Sequence, residues 1–348
     1  MNSMRPSERS ASHAISRRSL FSLDLPRDEG RAIPEADAGY WVRVQRRAMA
    51  CRFEITLSGE DAEFMEPARR ALAEADRVED RLTVFRESSD LVDLNRRAVL
   101  EPVPLDAEMM SLLSKCHSLS SDTEGAFDPT STPLSRCWGF LRREGRLPTP
   151  AEIESARACV GMDAVVIDGT ARTVRFVREG MELNLGGIGK GYALDRIAGL
   201  LAFDGVRHAL VSAGGSSVRA LGGRGVGFSV DLSSPAREKP LARIRLRDAS
   251  LGTSGAGIQF VEIEGKRYGH VIDPRTGWPS RGVLSVSVIA DDAATADALS
   301  TAFLVGGEEL ARTYCETHAD VAVFLTPDDQ GAETVQMGRH RGLYVEAA

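Results

Sequence analysis

The sequence predicts an α+β fold with a mixed or antiparallel sheet, and three observations carry that reading. Segments with the two-residue period of strands and segments with the 3.6-residue period of helices both recur along the chain. Helices stand between only some of the strands, and the alternation is irregular, which a doubly wound parallel sheet would not allow. No internal repeat and no clear linker divides the chain, so its 348 residues read as one compact unit, although that length alone would allow two domains.

The elements follow in order. Residues 1–38 are rich in Ser and Arg with little apolar periodicity and read as a disordered tail; residues 39–348 form the folded unit. Within the tail, Ser16-Arg17-Arg18-Ser19-Leu20-Phe21 resembles a twin-arginine export signal. Asp24, Pro26, Arg27, Asp28 and Glu29 follow where an apolar stretch should stand, and the first cysteine is Cys51, too late for a lipoprotein anchor. The expected compartment is the cytoplasm, with export as the alternative, and no run approaches a membrane span.

Trp41 to Leu57 reads as strands. Ala68, Leu72, Ala75 and Leu82 share one face of a helix expected from Met65 to Phe85. A second helix runs from Asp106, its cap, to Ser120, with Met109, Leu112, Leu113 and Cys116 inward. Thr149-Pro150-Ala151-Glu152 is a capping box with proline at the first helical position. Asp168-Gly169 marks a hairpin, and a second is expected at Glu264-Gly265. Further strands are expected near 209–212, 228–232, 241–246, 259–263, 284–289 and 321–325.

Composition excludes several classes of function. The net charge is −7 and no basic run occurs, which argues against a nucleic-acid partner. The five cysteines (51, 116, 137, 159 and 315) are isolated and without metal-ligand spacing, which argues against a disulfide scaffold and a zinc site.

Two segments carry chemistry. In Leu183-Asn184-Leu185-Gly186-Gly187-Ile188-Gly189-Lys190-Gly191, the end of a strand runs into a glycine turn. Leu194, Ile197, Ala198 and Leu201 then recur at helical spacing, so a helix opens near Lys190. Free N–H groups at such a helix start suit a phosphate; packing glycines in a tight turn are the other reading. Neither a Walker A loop nor the dinucleotide pattern fits the glycine spacing. In the second segment, Asp297 and Thr301 are four residues apart and share a helix face, with Gly306-Gly307 as the expected stop. Apolar Ala296, Leu299 and Phe303 bury that helix, so the carboxylate needs a partner: a hard cation such as Mg²⁺, a basic side chain, or exposure at the helix start.

Six blocks in the right order make the chain, from about Trp41 to about Gly342, resemble the FAD:protein FMN transferase (ApbE) family. They are Met49-Ala50-Cys51-Arg52-Phe53-Glu54; Phe85 through Leu94-Asn95; Gly125-Ala126-Phe127-Asp128-Pro129-Thr130 with Pro133-Leu134 and Trp138-Gly139-Phe140; the glycine turn; His270-Val271-Ile272-Asp273-Pro274-Arg275-Thr276-Gly277; and Ala296 through Thr301. The resemblance implies a T-fold-related α+β unit with a nucleotide cleft between lobes. It implies that Met49, Phe85, Ala126, Phe127, Asp128, Asn184, Lys190 and Ile272 contact the flavin nucleotide. It implies a metal held by the Gly187 carbonyl, Asp297 and Thr301, with Mg²⁺ expected and Mn²⁺ or Ca²⁺ as alternatives. His270 is the implied catalytic base.

The implied activity is Mg²⁺-dependent transfer of FMN from FAD to a threonine hydroxyl of an acceptor flavoprotein, with release of AMP. The alternatives are an FAD pyrophosphatase and a non-catalytic flavin-binding protein. Three positions depart from the family pattern: Cys51 stands where Thr is usual, Asn184 where Asp is usual, and Gly214-Gly215-Ser216-Ser217 where Gly-Gly-Asp is usual.

Overall fold

The computed structural model describes residues 21–22, 40–141, 144–232, 240–256, 260–263, 265–329 and 332–346. Its central sheet has eight antiparallel strands standing side by side in chain order. They are β1 (Trp41–Ala48), β2 (Cys51–Ser58), β3 (Ala209–Ala213), β4 (Ser217–Leu221), β5 (Ser250–Gly255), β6 (Val283–Ala290), β7 (Val321–Pro327) and β8 (Val335–Arg339). Two connections carry the helices. Between β2 and β3 run α1 (Met65–Leu82), α2 (Asp90–Arg97), α3 (Ala107–Asp122), α4 (Thr132–Cys137), α5 (Pro150–Arg157) and α6 (Gly189–Phe203); between β6 and β7 runs α7 (Ala293–Thr317). Each half of the sheet therefore reads two strands, a sheet-packed helix, two strands, with α6 and α7 as the paired helices.

The sheet is covered on both faces. Phe53, Ile55 and Val211 point toward Ala71 and Ala75 of α1 and Leu194 and Ile197 of α6. On the opposite face, Leu210, Val218 and Leu251 meet Val230, Leu232 and Ile244 of a second sheet built from Phe21–Ser22, Phe228–Leu232, Ala242–Leu246 and Leu343–Val345. That double cover explains why all five residues of β3 are buried and show no polar alternation. The expected α+β class with an antiparallel sheet is the observed one. Most of the expected tail lies outside the described residues; Phe21–Ser22 pairs with the strand Phe228–Leu232.

Local chemistry sets the boundaries that matter to the cleft. Asp106 caps α3 by accepting the Met109 N–H at 2.9 Å, and the Thr149–Glu152 capping box opens α5. α1 stops at Leu82, short of the expected Phe85, because Thr83 turns extended and its carbonyl accepts the Ser89 hydroxyl at 2.6 Å. Phe85 is left 76 % exposed.

Leu183 to Leu185 is not the expected strand. Its backbone groups are met by a side chain: Asn95 donates to the Leu183 carbonyl (2.9 Å) and accepts the Leu183 N–H (2.8 Å), while the Asn184 N–H goes to Pro129 (2.8 Å). Gly306-Gly307 bends α7 and does not end it. Gly307 leaves helical geometry (φ 73°, ψ −164°), but Ala311 and Tyr314 beyond it are buried in the main core and draw the chain back into helix.

A smaller cluster forms the second wall of the cleft. Buried Trp138, after α4, donates its indole N–H to the Gly277 carbonyl (2.9 Å) and meets Trp278 edge-on at 5.3 Å and Tyr268 at 5.4 Å. Gly277 has φ +77°, and a Cβ there would lie 2.5 Å from Ile153 of α5. These contacts fix the loop that carries His270 and Ile272.

Candidate active site

One cleft of about 640 Å³ is lined by all twelve of the residues implied at the sequence level: Met49, Phe85, Ala126, Phe127, Asp128, Asn184, Gly187, Lys190, His270, Ile272, Asp297 and Thr301. They come from six stretches of chain that the fold brings together. A neighbouring cavity of about 630 Å³ adjoins the cleft through Asp128 and Pro274 but holds none of the others.

The cleft floor is where α6 and α7 cross. Gly191 must be glycine there: a Cβ would stand 2.0 Å from the Ala293 carbonyl oxygen. This close approach lets Asp297 of α7 reach the first turn of α6, where its Oδ2 accepts the Gly191 N–H at 2.8 Å. The packing role that the sequence allowed for the glycine turn is the one observed here. The turn packs tightly, and it opens a helix that has no side-chain cap of its own and binds an anion, the anion being Asp297.

Asp297 is buried, and burial pushes its carboxyl pKa above the ordinary range, opposed by Lys190, by the Ser217 hydroxyl and by the Gly191 N–H. Ser217 donates to Oδ1 at 2.7 Å and accepts from the Lys190 ammonium at 3.0 Å; Lys190 Nζ itself lies 3.6 Å from Oδ2. The basic partner anticipated for this carboxylate is therefore Lys190. One turn on, Thr301 Oγ1 bonds the Asp297 carbonyl (3.2 Å) and lies 3.3 Å from Ser254 Oγ, which also pairs with Ser300 at 2.8 Å.

These donors fit a hard divalent cation. A carboxylate, the Thr301 hydroxyl and a nearby backbone are oxygen ligands of the kind Mg²⁺ takes, with water filling the shell. Gly187 lies against Thr301: a Cβ on Gly187 would be 3.8 Å from Oγ1 and 3.4 Å from the Phe127 ring. Among the described residues no cluster of three or more His, Cys, Asp or Glu side chains offers a competing site.

The remaining residues differ in how free they are. Asp128 is committed to structure: Oδ1 accepts the Thr130 N–H (2.8 Å) and hydroxyl (2.6 Å), and Oδ2 accepts the Met162 N–H (3.0 Å). Burial raises its pKa and these bonds oppose the rise. Asn184 Oδ1 accepts the Gly186 N–H at 2.9 Å, an Asx turn that an aspartate would form equally well. Met49 and Ala50 form the two-residue β1–β2 turn with φ of 49° and 56°, a geometry that ordinarily selects Asn-Gly. Glu79 of α1 holds the turn by accepting the Met49 N–H at 2.7 Å. His270 is half-buried and lines the same cleft.

Sequence reasoning gave no role to Ser217, Ser254 or Glu79. Consecutive hydroxyls at Thr253-Ser254, just before Gly255 at a strand end, were the available signal for Ser254. Glu79 had none, because its partner is thirty positions away.

The ApbE family model matches residues 49–325. A Treponema pallidum FAD:protein FMN transferase is 33 % identical over 265 residues, covering 71 % of this chain and 73 % of that protein. The Salmonella typhimurium FAD:protein FMN transferase is 29 % identical over 302 residues, 84 % of this chain and 86 % of its own. The crystal structure of an ApbE protein from Thermotoga maritima superposes with a TM-score of 0.77 at 31 % identity, covering 86 % of this chain and 97 % of that one.

Proposed function

The chain belongs to the ApbE family, and we propose that it transfers FMN from FAD to a threonine hydroxyl of an acceptor protein in a reaction that needs a divalent cation, Mg²⁺ first among them. The observation that supports this reading best is the convergence on one cleft of a buried carboxylate, a lysine, a hydroxyl ligand and a histidine with the residues of all six motifs.

In this reading Asp297, Thr301 and the Gly187 carbonyl hold the cation, which would offset negative charge on the phosphate oxygens. Lys190 and the glycine turn orient the pyrophosphate. Met49 and Phe85 bracket the flavin end, and the exposure of Phe85 leaves its ring face free to stack. His270 takes the proton from the acceptor hydroxyl. The oxygen forms a bond to the FMN-side phosphorus as the bond to the AMP oxygen breaks, so FMN stays on the protein and AMP leaves.

Incubation with FAD, Mg²⁺ and a candidate acceptor tests this. A fluorescent acceptor band together with AMP is the expected result. AMP without the band means a pyrophosphatase, and bound FAD without AMP means a binding protein.

A further inference from the structure

Ser217 has one proton and uses it on Asp297, while its lone pair takes the Lys190 ammonium. It is fully buried and stands at the first residue of β4, where the backbone fixes it; its register partners, Ala213 on β3 and Gly252 on β5, flank it. A Cβ on Gly252 would lie 2.4 Å from the Ala296 carbonyl carbon, so the start of β4 is clamped beside the first turn of α7. The hydroxyl therefore acts as a rigid bridge between a cation on α6 and an anion on α7.

We propose that Ser217 is a positioning residue that holds Lys190 as the resident counter-cation of Asp297, so that a divalent cation and Lys190 compete for one carboxylate. The proposal rests on the metal assignment made above. Three features carry it. Asp297 is the carboxylate of this cleft's floor, and its Oδ2 already faces both the Gly191 N–H and Lys190 at 3.6 Å. Two cations that close to one oxygen repel each other, so metal entry has to displace the ammonium. Lys190 keeps 28 % of its side chain exposed toward the cleft and has room to leave, whereas Ser217 and Asp297 do not. The released ammonium is then free to meet the pyrophosphate of the anionic substrate, which makes metal and FAD binding mutually reinforcing.

The test is a calorimetric titration with MnCl₂ or MgCl₂ alone, without FAD. Lys190→Met is expected to tighten metal binding at least tenfold, and Ser217→Ala to tighten it in the same direction by loosening Lys190. Ser217→Thr, which keeps the hydroxyl, is expected to restore wild-type affinity. The double variant should show no further gain, since both changes release one clamp. Lys190→Gln serves where Lys190→Met folds poorly, and the rise in melting temperature on adding metal gives a second readout, larger in the variant than in the wild type. Unchanged or weaker metal binding in both lysine variants overturns the proposal while leaving the metal site in place. Weaker binding in Ser217→Ala overturns it as well, because the hydroxyl then only aims Asp297. No metal binding by wild type and variants alike removes the metal assignment and this proposal together.

Discussion

Asp195 and Asp297 are reciprocal. Asp195 of α6 accepts the first N–H groups of α7, from Ala293 and Ala294, each at 2.9 Å; Asp297 of α7 accepts the Gly191 N–H in the first turn of α6 at 2.8 Å. Each helix start is thus neutralised by a carboxylate from its neighbour, and the crossing that builds the cleft floor is held from both sides.

The pair predicts a pH signature. Burial, reinforced by Asp292, raises the Asp195 carboxyl from 3.8 to about 6. The folded protein therefore binds this proton more tightly than the unfolded chain, and the charged form costs stability above pH 6. Lowering the pH from 7.5 to 5 relieves about 1.4 kcal/mol of that cost. Asp195→Asn lacks this contribution, so the stability of the wild type relative to the variant should rise by that amount between pH 7.5 and pH 5. Urea unfolding of both proteins at the two pH values measures it.

Asp297→Ala is expected to abolish metal-dependent AMP release, since the site loses its charged ligand. It also strands the Gly191 N–H and should cost about 1–3 kcal/mol of stability. Thr301→Val should weaken metal dependence less, because a neutral hydroxyl contributes less than a carboxylate. Wild-type metal dependence in Asp297→Ala would show that the cation binds elsewhere.

His270→Ala is expected to lower single-turnover transfer by about a hundredfold or more while FAD affinity changes little. The opposite split, weakened binding with intact transfer at saturating FAD, would make the imidazole a phosphate ligand and not a base.

Asn184→Asp keeps the Asx turn to Gly186 and adds a carboxylate beside the nucleotide. Tighter FAD binding by calorimetry is the expected result. Weaker binding would mean that the pocket is built around the amide.

Ala50→Gly is expected to stabilise the fold by about 1 kcal/mol, because Ala50 carries a positive φ of 56° that glycine adopts without a Cβ penalty. A lower melting temperature would mean that the Ala50 methyl makes contacts that outweigh this strain.

Much of this was legible in the sequence. Asp106 and Thr149 cap the helices their side chains were expected to cap, and the strands near 228–232 and 284–289 appear where β-branched residues cluster. The twelve residues implied by the family resemblance line one cleft, a proximity that motif order carries and periodicity cannot. What stayed hidden depends on distant partners. Leu183 to Leu185 resembled a strand because its apolar residues are buried, but Asn95, 88 positions earlier, takes its hydrogen bonds. Ser217 opens a short strand two positions after Gly215, and its role exists only once α6 and α7 cross. The duplicate arrangement of strands around those helices was equally invisible, since no residue pattern repeats between the halves.

The meander of the central sheet has one interruption that separates neighbours in time. Every strand pair but β2–β3 joins segments separated by short turns, longer excursions or one helix, whereas β2 and β3 stand apart by residues 59–208. Closing so large a loop is entropically slow, so β3 to β8 with α7 can collapse first and the β1–β2 hairpin docks late. That hairpin carries Met49, and the long excursion carries Phe85, Phe127 and Lys190. On loop-closure grounds the residues lining the cleft are expected to come together late in folding, so flavin added to a refolding chain should accelerate nothing before that docking yet slow its reversal.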